Sequence, residues 1–261
     1  MSSTVELYRS KSDLLNNAID RLIVEIYTYK RRYNNKSLLL SGCSTQSGTT
    51  MIAINLVVPL AMSGWKTLLI DCDLRKGSLL KRLNKDSEYG LGDYLTDKIM
   101  KEDLIQKTNY KNLSYIPSGT KVNNPIRLLC SSKMESLLQE VGEEYDYIIY
   151  DFPSINVVSD ANIFLLYMDG VMLVASLEHT TKKQLEDARI KVSKCSKNNY
   201  YGLILNQVGL GEYKKYINDY DYFEMKNLNK RYLKNLKRRK SLREEECTRI
   251  SDILETDKLD E

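Results

Sequence analysis

The chain has 261 residues, 42% of them apolar and 28% charged, with a net charge of +4. That length suits one α/β domain with a full core plus an extension, and the composition is that of an ordinary globular protein. No apolar run reaches the ~20 residues of a membrane span, and the cysteines at 43, 72, 130, 195 and 247 are scattered without a C-x-x-C pair, which excludes a disulfide framework and a zinc site.

Along the chain, the start MSSTVELYRSKSD lacks the apolar segment of a secretory signal. Residues 5–34 carry apolar side chains at roughly helical spacing and predict one or two leading helices. From residue 37 the pattern alternates. Short apolar runs at 37–41, 67–71, 113–116, 145–151, 170–176 and 200–206 predict strands, and the stretches between most of them are long enough for crossover helices. Strands apolar on both faces and separated by helices predict an α/β fold, a doubly wound and mostly parallel sheet. The expected divisions are a helical segment at 1–36, the sheet domain at 37–211 and a charged helical extension at 212–261.

The first strand runs into SGCSTQSGTTM at 41–51, and an apolar helix comes next. A loop of small residues between strand and helix turns backbone N–H groups into a concavity, and the helix start adds its positive end. The phosphate-loop pattern is G-x-x-x-x-G-K-[ST]. Gly48 and Thr50 fit it, and Thr50 can reach a magnesium ion. The lysine position holds Thr49, and no charged residue occurs from Ser37 to Trp65. A plain polar turn would look similar.

KTLLIDCDLRK at 66–76 ends a strand in Asp71-x-Asp73-x-Arg75. Carboxylates there project into the crevice where open α/β sheets bind ligands. They suit magnesium with its water shell, or acceptance of a hydroxyl proton; solvated acids balanced by Arg75 and Lys76 are the blander alternative. YDYIIYDFPS at 145–154 ends a further strand in Asp151, the physical content of a Walker B site, though a strand-end Asp before Pro153 is common in isolation. His179, the single histidine, and Trp65, the single tryptophan, read as surface and packing residues.

The last fifty residues differ in kind. Tyr213, Tyr216, Tyr220 and Tyr222 cluster ahead of a basic run at 226–243 and an acidic end at 244–261. For the basic run, a solvated helix face is expected first, an anionic membrane surface second. No nucleic-acid partner is expected, because no recognition fold accompanies the charge.

Taken in order, the small-residue loop, DxDxR and the apolar run ending in D-x-P resemble the bacterial tyrosine kinases, cytoplasmic regulators of capsular and exopolysaccharide synthesis. The resemblance covers roughly residues 4–222. ELYR at 6–9 is similar to the start of that family's Glu-x-x-Arg-x-x-Arg assembly helix, with Ser12 at the last position. TLLIDCDLRKGSL is similar to its Walker A′, and YIPSG and NPIRLLCSSKMESLL to the segment ending NP-x-x-LL-x-S. IIYDFPS is similar to Walker B, VSDA at 158–161 to the family's segment just after Walker B, and LILNQV to a strand near the base.

The resemblance implies a P-loop fold, ATP or ADP and Mg²⁺ as ligands, and roles by position. Gly48, Thr49, Thr50 and Asn206 would contact nucleotide. Thr50, Asp71 and Asp151 would serve the metal, and Asp71, Asp73 and Asp151 the chemistry. Tyr213, Tyr216, Tyr220 and Tyr222 would be phosphoacceptors, with Glu6 and Arg9 in subunit assembly. A membrane adaptor, a homo-oligomer or a hetero-oligomer with an active paralogue, and a cytoplasmic place at the inner face of the membrane are the implied partners and location. The family carries lysine at the Thr49 position and usually Pro-Gly where this chain has Thr45-Gln46. A catalytically impaired, nucleotide-binding member is therefore expected. The alternatives are an active tyrosine autokinase, a positioning ATPase similar to ParA and MinD, and a structural partner that binds no nucleotide.

Overall fold

The computed structural model describes residues 4–75, 89–158, 164–195 and 199–209. The elements in chain order are α1 (Asp13–Tyr33), β1 (Ser37–Gly42), α2 (Thr49–Met62), β2 (Thr67–Asp71), α3 (Leu91–Leu95), β3 (Gln106–Lys107), β4 (Leu113–Ile116), α4 (Pro125–Leu129), α5 (Ser132–Glu144), β5 (Tyr147–Phe152), β6 (Gly170–Ser176), α6 (Lys182–Cys195) and β7 (Tyr200–Asn206).

The strands form one seven-stranded sheet in the order β3-β4-β2-β5-β1-β6-β7. Pairing is parallel throughout except for β3 against β4. β2, β5 and β6 are buried at every residue, which explains their unbroken apolar sequences: a strand covered on both faces has no solvent side to alternate with. One face packs on α1 and α2, through Leu38, Leu40, Leu69, Tyr115, Ile149, Leu56 and Leu60. The other packs on α5 and α6, through Leu39, Ile70, Ile148, Leu137, Val141, Leu185 and Val192. Successive strand residues serve opposite cores, as the two-residue repeat of a strand requires.

The leading segment departs from the helical expectation. Only Asp13–Tyr33 is helical, started by the Ser12 side chain accepting from the Leu15 N–H. Ahead of it the chain is extended. Val5 and Leu7 are buried while Glu6 and Tyr8 are exposed, an alternation of period two. Val5 bridges to Thr108. The Asn109 side chain brackets Leu7, accepting from its N–H at 2.8 Å and donating to its carbonyl at 3.0 Å. Glu6 and Arg9 therefore lie on an extended strap, not on a helix.

Among the described strands, β3 alone is not signalled by the sequence. Gln106 and Lys107 carry no apolar pattern and pair because β4 presents a free edge to them. Among the described residues no helix is long and apolar enough to cross a membrane.

Candidate phosphate-loop site

β1 carries the chain to the carboxyl edge of the sheet and hands it to a tight loop over 43–48. Cys43 stays in sheet register, its N–H donating to the Val174 carbonyl at 2.8 Å. A Cβ on Gly42 would lie 2.8 Å from the Ser44 carbonyl and 3.1 Å from Thr49 Oγ1, so the loop folds back over the end of its own strand. Gln46 (φ 64°) and Gly48 (φ 81°) are both left-handed. For Gln46 that conformation costs about 1–2 kcal/mol, and it occupies the position where the kinase resemblance leads one to expect glycine.

Hydroxyls brace the loop from inside. Ser47 Oγ donates to the Ser44 carbonyl at 2.7 Å and accepts from the Ser44 N–H at 3.2 Å. The Ser44 and Thr180 hydroxyls are hydrogen-bonded at 2.8 Å, and that threonine accepts from the Ser176 N–H at the end of β6. Asn206, at the end of β7, donates Nδ2 to the Ser47 carbonyl at 2.9 Å. On the other flank Asn156 donates to the carbonyls of Cys43 and Gln184, and the Ile155 N–H donates to the Gly42 carbonyl. Thr45 and Gln46 remain exposed, and Gly48, Thr49 and Thr50 half-exposed. They lead into the start of α2, whose first turn carries no acid to compete for the helix's positive end.

Beside the loop stand the two acids. β2 and β5 are adjacent, and Asp71 and Asp151 are direct partners across them. Asp151 is also in register with Leu40 of β1, two residues before Gly42. Both carboxylates are buried, at 1% and 4% exposure. The Asp73 N–H donates to Asp71 Oδ1 at 3.0 Å, and the Arg75 N–H to Asp73 Oδ1 at 3.3 Å. This pair of turns fixes Asp71 and leads the chain away. Asp73 is half-exposed beside them.

The field of these acids reaches the buried groups around them. Burial first, then the charges of Asp71, Asp151 and Asp73, push the Cys72 thiol well above its ordinary value. Burial raises Cys43 to about 12. Neither thiol is a nucleophile at neutral pH. The Tyr115 hydroxyl is pushed well up by burial and then by Asp71, Asp151 and Cys72.

The donor set fits magnesium. Two carboxylates in register, with the Thr49 and Thr50 hydroxyls at the helix start, are hard oxygen ligands. Among the described residues no group of three or more His, Cys, Asp or Glu could hold a metal unaided. An ion that takes few protein ligands and completes its shell with water and phosphate oxygens suits such a site. On the same face of the sheet the buried Tyr115 hydroxyl has no hydrogen-bond partner among the described residues.

The structure thus brings Gly48, Thr49, Thr50, Asp71, Asp73, Asp151 and Asn206 to one edge of the sheet. Glu6 and Arg9 lie elsewhere: the Glu6 carboxylate accepts from the Tyr8 hydroxyl, and Arg9 pairs with Asp20 at 3.2 Å and donates to Asn16. Tyr213, Tyr216, Tyr220, Tyr222, Lys76 and the charged runs after 226 lie outside the described residues. His179 is exposed just ahead of α6. Sequence reasoning missed Ser44, Ser47, Asn156, Ser176 and Thr180 as loop supports.

A family model for the AAA domain matches residues 44–201. Tyrosine-protein kinase YwqD of Bacillus subtilis is 35% identical over 181 residues, covering 69% of this chain and 76% of that protein. Tyrosine-protein kinase wzc of Salmonella typhi is 30% identical over 199 residues, which cover 76% of this chain and 27% of that protein. The chain therefore spans most of one relative and about a quarter of the other. Among solved structures, the kinase domain of Escherichia coli tyrosine kinase ETK superposes with a TM-score of 0.70 at 26% identity, covering 79% of this chain and 91% of that domain.

Proposed function

This chain belongs to the bacterial tyrosine kinase family and carries its AAA domain, and from that premise we propose that it is a nucleotide-binding regulator of capsular or exopolysaccharide synthesis in which phosphoryl transfer is impaired. The observation that carries the reading is Thr49. It stands at the lysine position of the phosphate-loop pattern, in a stretch from Ser37 to Trp65 without a single charge.

The parts needed for binding are present. N–H groups of Gly48, Thr49 and Thr50 at the α2 start meet phosphate oxygens. Thr50 and Asp151 hold the metal side of the site, and Asp71 serves both metal and proton. Asp73 stands next to it to orient the incoming hydroxyl. Magnesium, bound with nucleotide, supplies neutralisation of phosphate charge. The missing part is a cation that tracks charge onto the transferring group. Phosphoryl transfer rests on positioning and charge stabilisation, and losing one aligned donor typically costs about 10²–10³ in rate.

In this reading the tyrosines at 213–222 are phosphoacceptors for a neighbouring subunit or an active paralogue. Glu6 and Arg9 serve assembly. A membrane adaptor recruits the protein to the inner face of the membrane, with 226–243 against anionic lipid.

The test is calorimetric titration of the purified chain with Mg-ATP and Mg-ADP, with Asp71→Ala as control, and then autophosphorylation with and without Thr49→Lys. Binding that the control weakens, with phosphotyrosine appearing only in the lysine variant, supports the proposal. Strong magnesium-dependent tyrosine autophosphorylation by the unaltered chain overturns it. That result would favour the second reading, an active autokinase, which rests on the tyrosine-protein kinase names of relatives such as YwqD.

A further inference from the structure

The Tyr115 side chain is fully buried, and its hydroxyl has no hydrogen-bond partner among the described residues. An orphaned buried hydroxyl carries a desolvation cost that nothing repays, and phenylalanine would fill the same space without that cost. Such a group calls for a reason.

Its position supplies one. Tyr115 of β4 is in register with Leu69 of β2, two residues before Asp71. Leu69, Tyr115 and Ile149 all face α2. Strand alternation then places Asp71, two residues after Leu69, and Asp151, two after Ile149, on that same face. The charges of both acids bear on the hydroxyl. A phenol on that face is a hydrogen-bond donor within the field of both acids, yet it bonds to neither of them here. The core cluster that Tyr115 belongs to, with Leu56, Val57 and Leu60 among its members, is apolar.

We propose that Tyr115 is a positioning residue for the metal: on loading, its hydroxyl donates to the carboxylate–water shell that Asp71 and Asp151 form around the ion. The inference rests on the nucleotide-binding reading above. It assigns Tyr115 no contact with the reacting atoms. Its work is to lock the acids in the orientation the ion needs, the way outer-shell partners orient metal ligands.

The full chain, with saturating ADP, is titrated with Mg²⁺ as wild type, Tyr115→Phe and Tyr115→Leu, and each is melted without ligand. The expected result for Tyr115→Phe is a magnesium midpoint raised about tenfold, the lower edge of what losing an outer-shell partner does. Its ligand-free melting temperature stays level or rises, because the orphan is gone. Tyr115→Leu melts lower through lost volume but shows the same magnesium midpoint as Tyr115→Phe. A wild-type midpoint in Tyr115→Phe overturns the inference alone. So does a magnesium midpoint that tracks melting temperature across the two variants, since that marks a packing role. A wild-type chain with no magnesium-dependent response overturns the nucleotide reading, and this inference with it.

Discussion

Asn206 fills the space that a side chain at Gly48 would need: a Cβ on Gly48 would lie 2.2 Å from Asn206 Nδ2, the atom that holds the Ser47 carbonyl. Gly48→Ala therefore strains the left-handed φ by about 1–2 kcal/mol and evicts the amide, losing a bond of about 1 kcal/mol. Asn206→Ala costs only the bond. The double variant is expected to be no less stable than Gly48→Ala, a non-additivity that thermal unfolding of the three proteins reads directly.

Asp71→Asn keeps an oxygen for the Asp73 N–H and removes the charge. The expected outcome is a ligand-free stability within about 1 kcal/mol of wild type, together with loss of the magnesium-induced rise in melting temperature. Asp151→Asn is expected to behave alike. Differential scanning calorimetry at several magnesium concentrations checks both.

Asp93 gives a pH prediction. It is buried in α3 and accepts from the Gly90 N–H at 3.0 Å, the Thr120 N–H at 2.8 Å, the Thr120 hydroxyl and Lys98 at 3.2 Å. Burial alone would push its carboxyl up, but the Thr120, Lys98 and Gly90 bonds outweigh it and hold it below the ordinary value. A carboxyl with its folded value depressed stabilises the fold above the unfolded value and loses that contribution as pH falls through the folded one. Asp93→Asn is expected to cost about 2–3 kcal/mol at neutral pH. The gap to wild type narrows below about pH 4. Urea unfolding across the acid range measures it.

Lys30 sits in an aromatic notch, with its ammonium 4.1 Å from the Tyr147 ring centroid and 4.8 Å from that of Trp65, while donating to the Asp146 carbonyl at 2.6 Å. Lys30→Met keeps the stem and loses the charge, at an expected cost of about 1–2 kcal/mol. Trp65 is the single tryptophan, so its emission reports the change without a label.

Much of this architecture is legible in the residues. β2, β5 and β6 announce themselves as unbroken apolar runs because both of their faces are covered. Asp71 and Asp151 announce themselves as charges terminating such runs. The supports of the loop do not. Ser44 meets Thr180 across 136 positions and Asn206 meets Ser47 across 159, and no local periodicity encodes such a meeting. Tyr115 reads as one more apolar strand residue, and only the packed neighbours show that its hydroxyl is stranded. Val5 and Leu7 did carry a signal, the alternation in V-E-L-Y, but a run that short is drowned by the helical pattern of residues 13–33.

Asn55 has a consequence of its own. On α2, its Nδ2 donates to the Met51 carbonyl one turn closer to the loop, and its Oδ1 accepts from the Ser10 N–H. A single buried amide thus stitches the first turns of the loop helix to the strap that carries Glu6 and Arg9. Any displacement of Ser10 on that strap bears on the Asn55 amide, and through it on the Met51 carbonyl in the first turn after the loop.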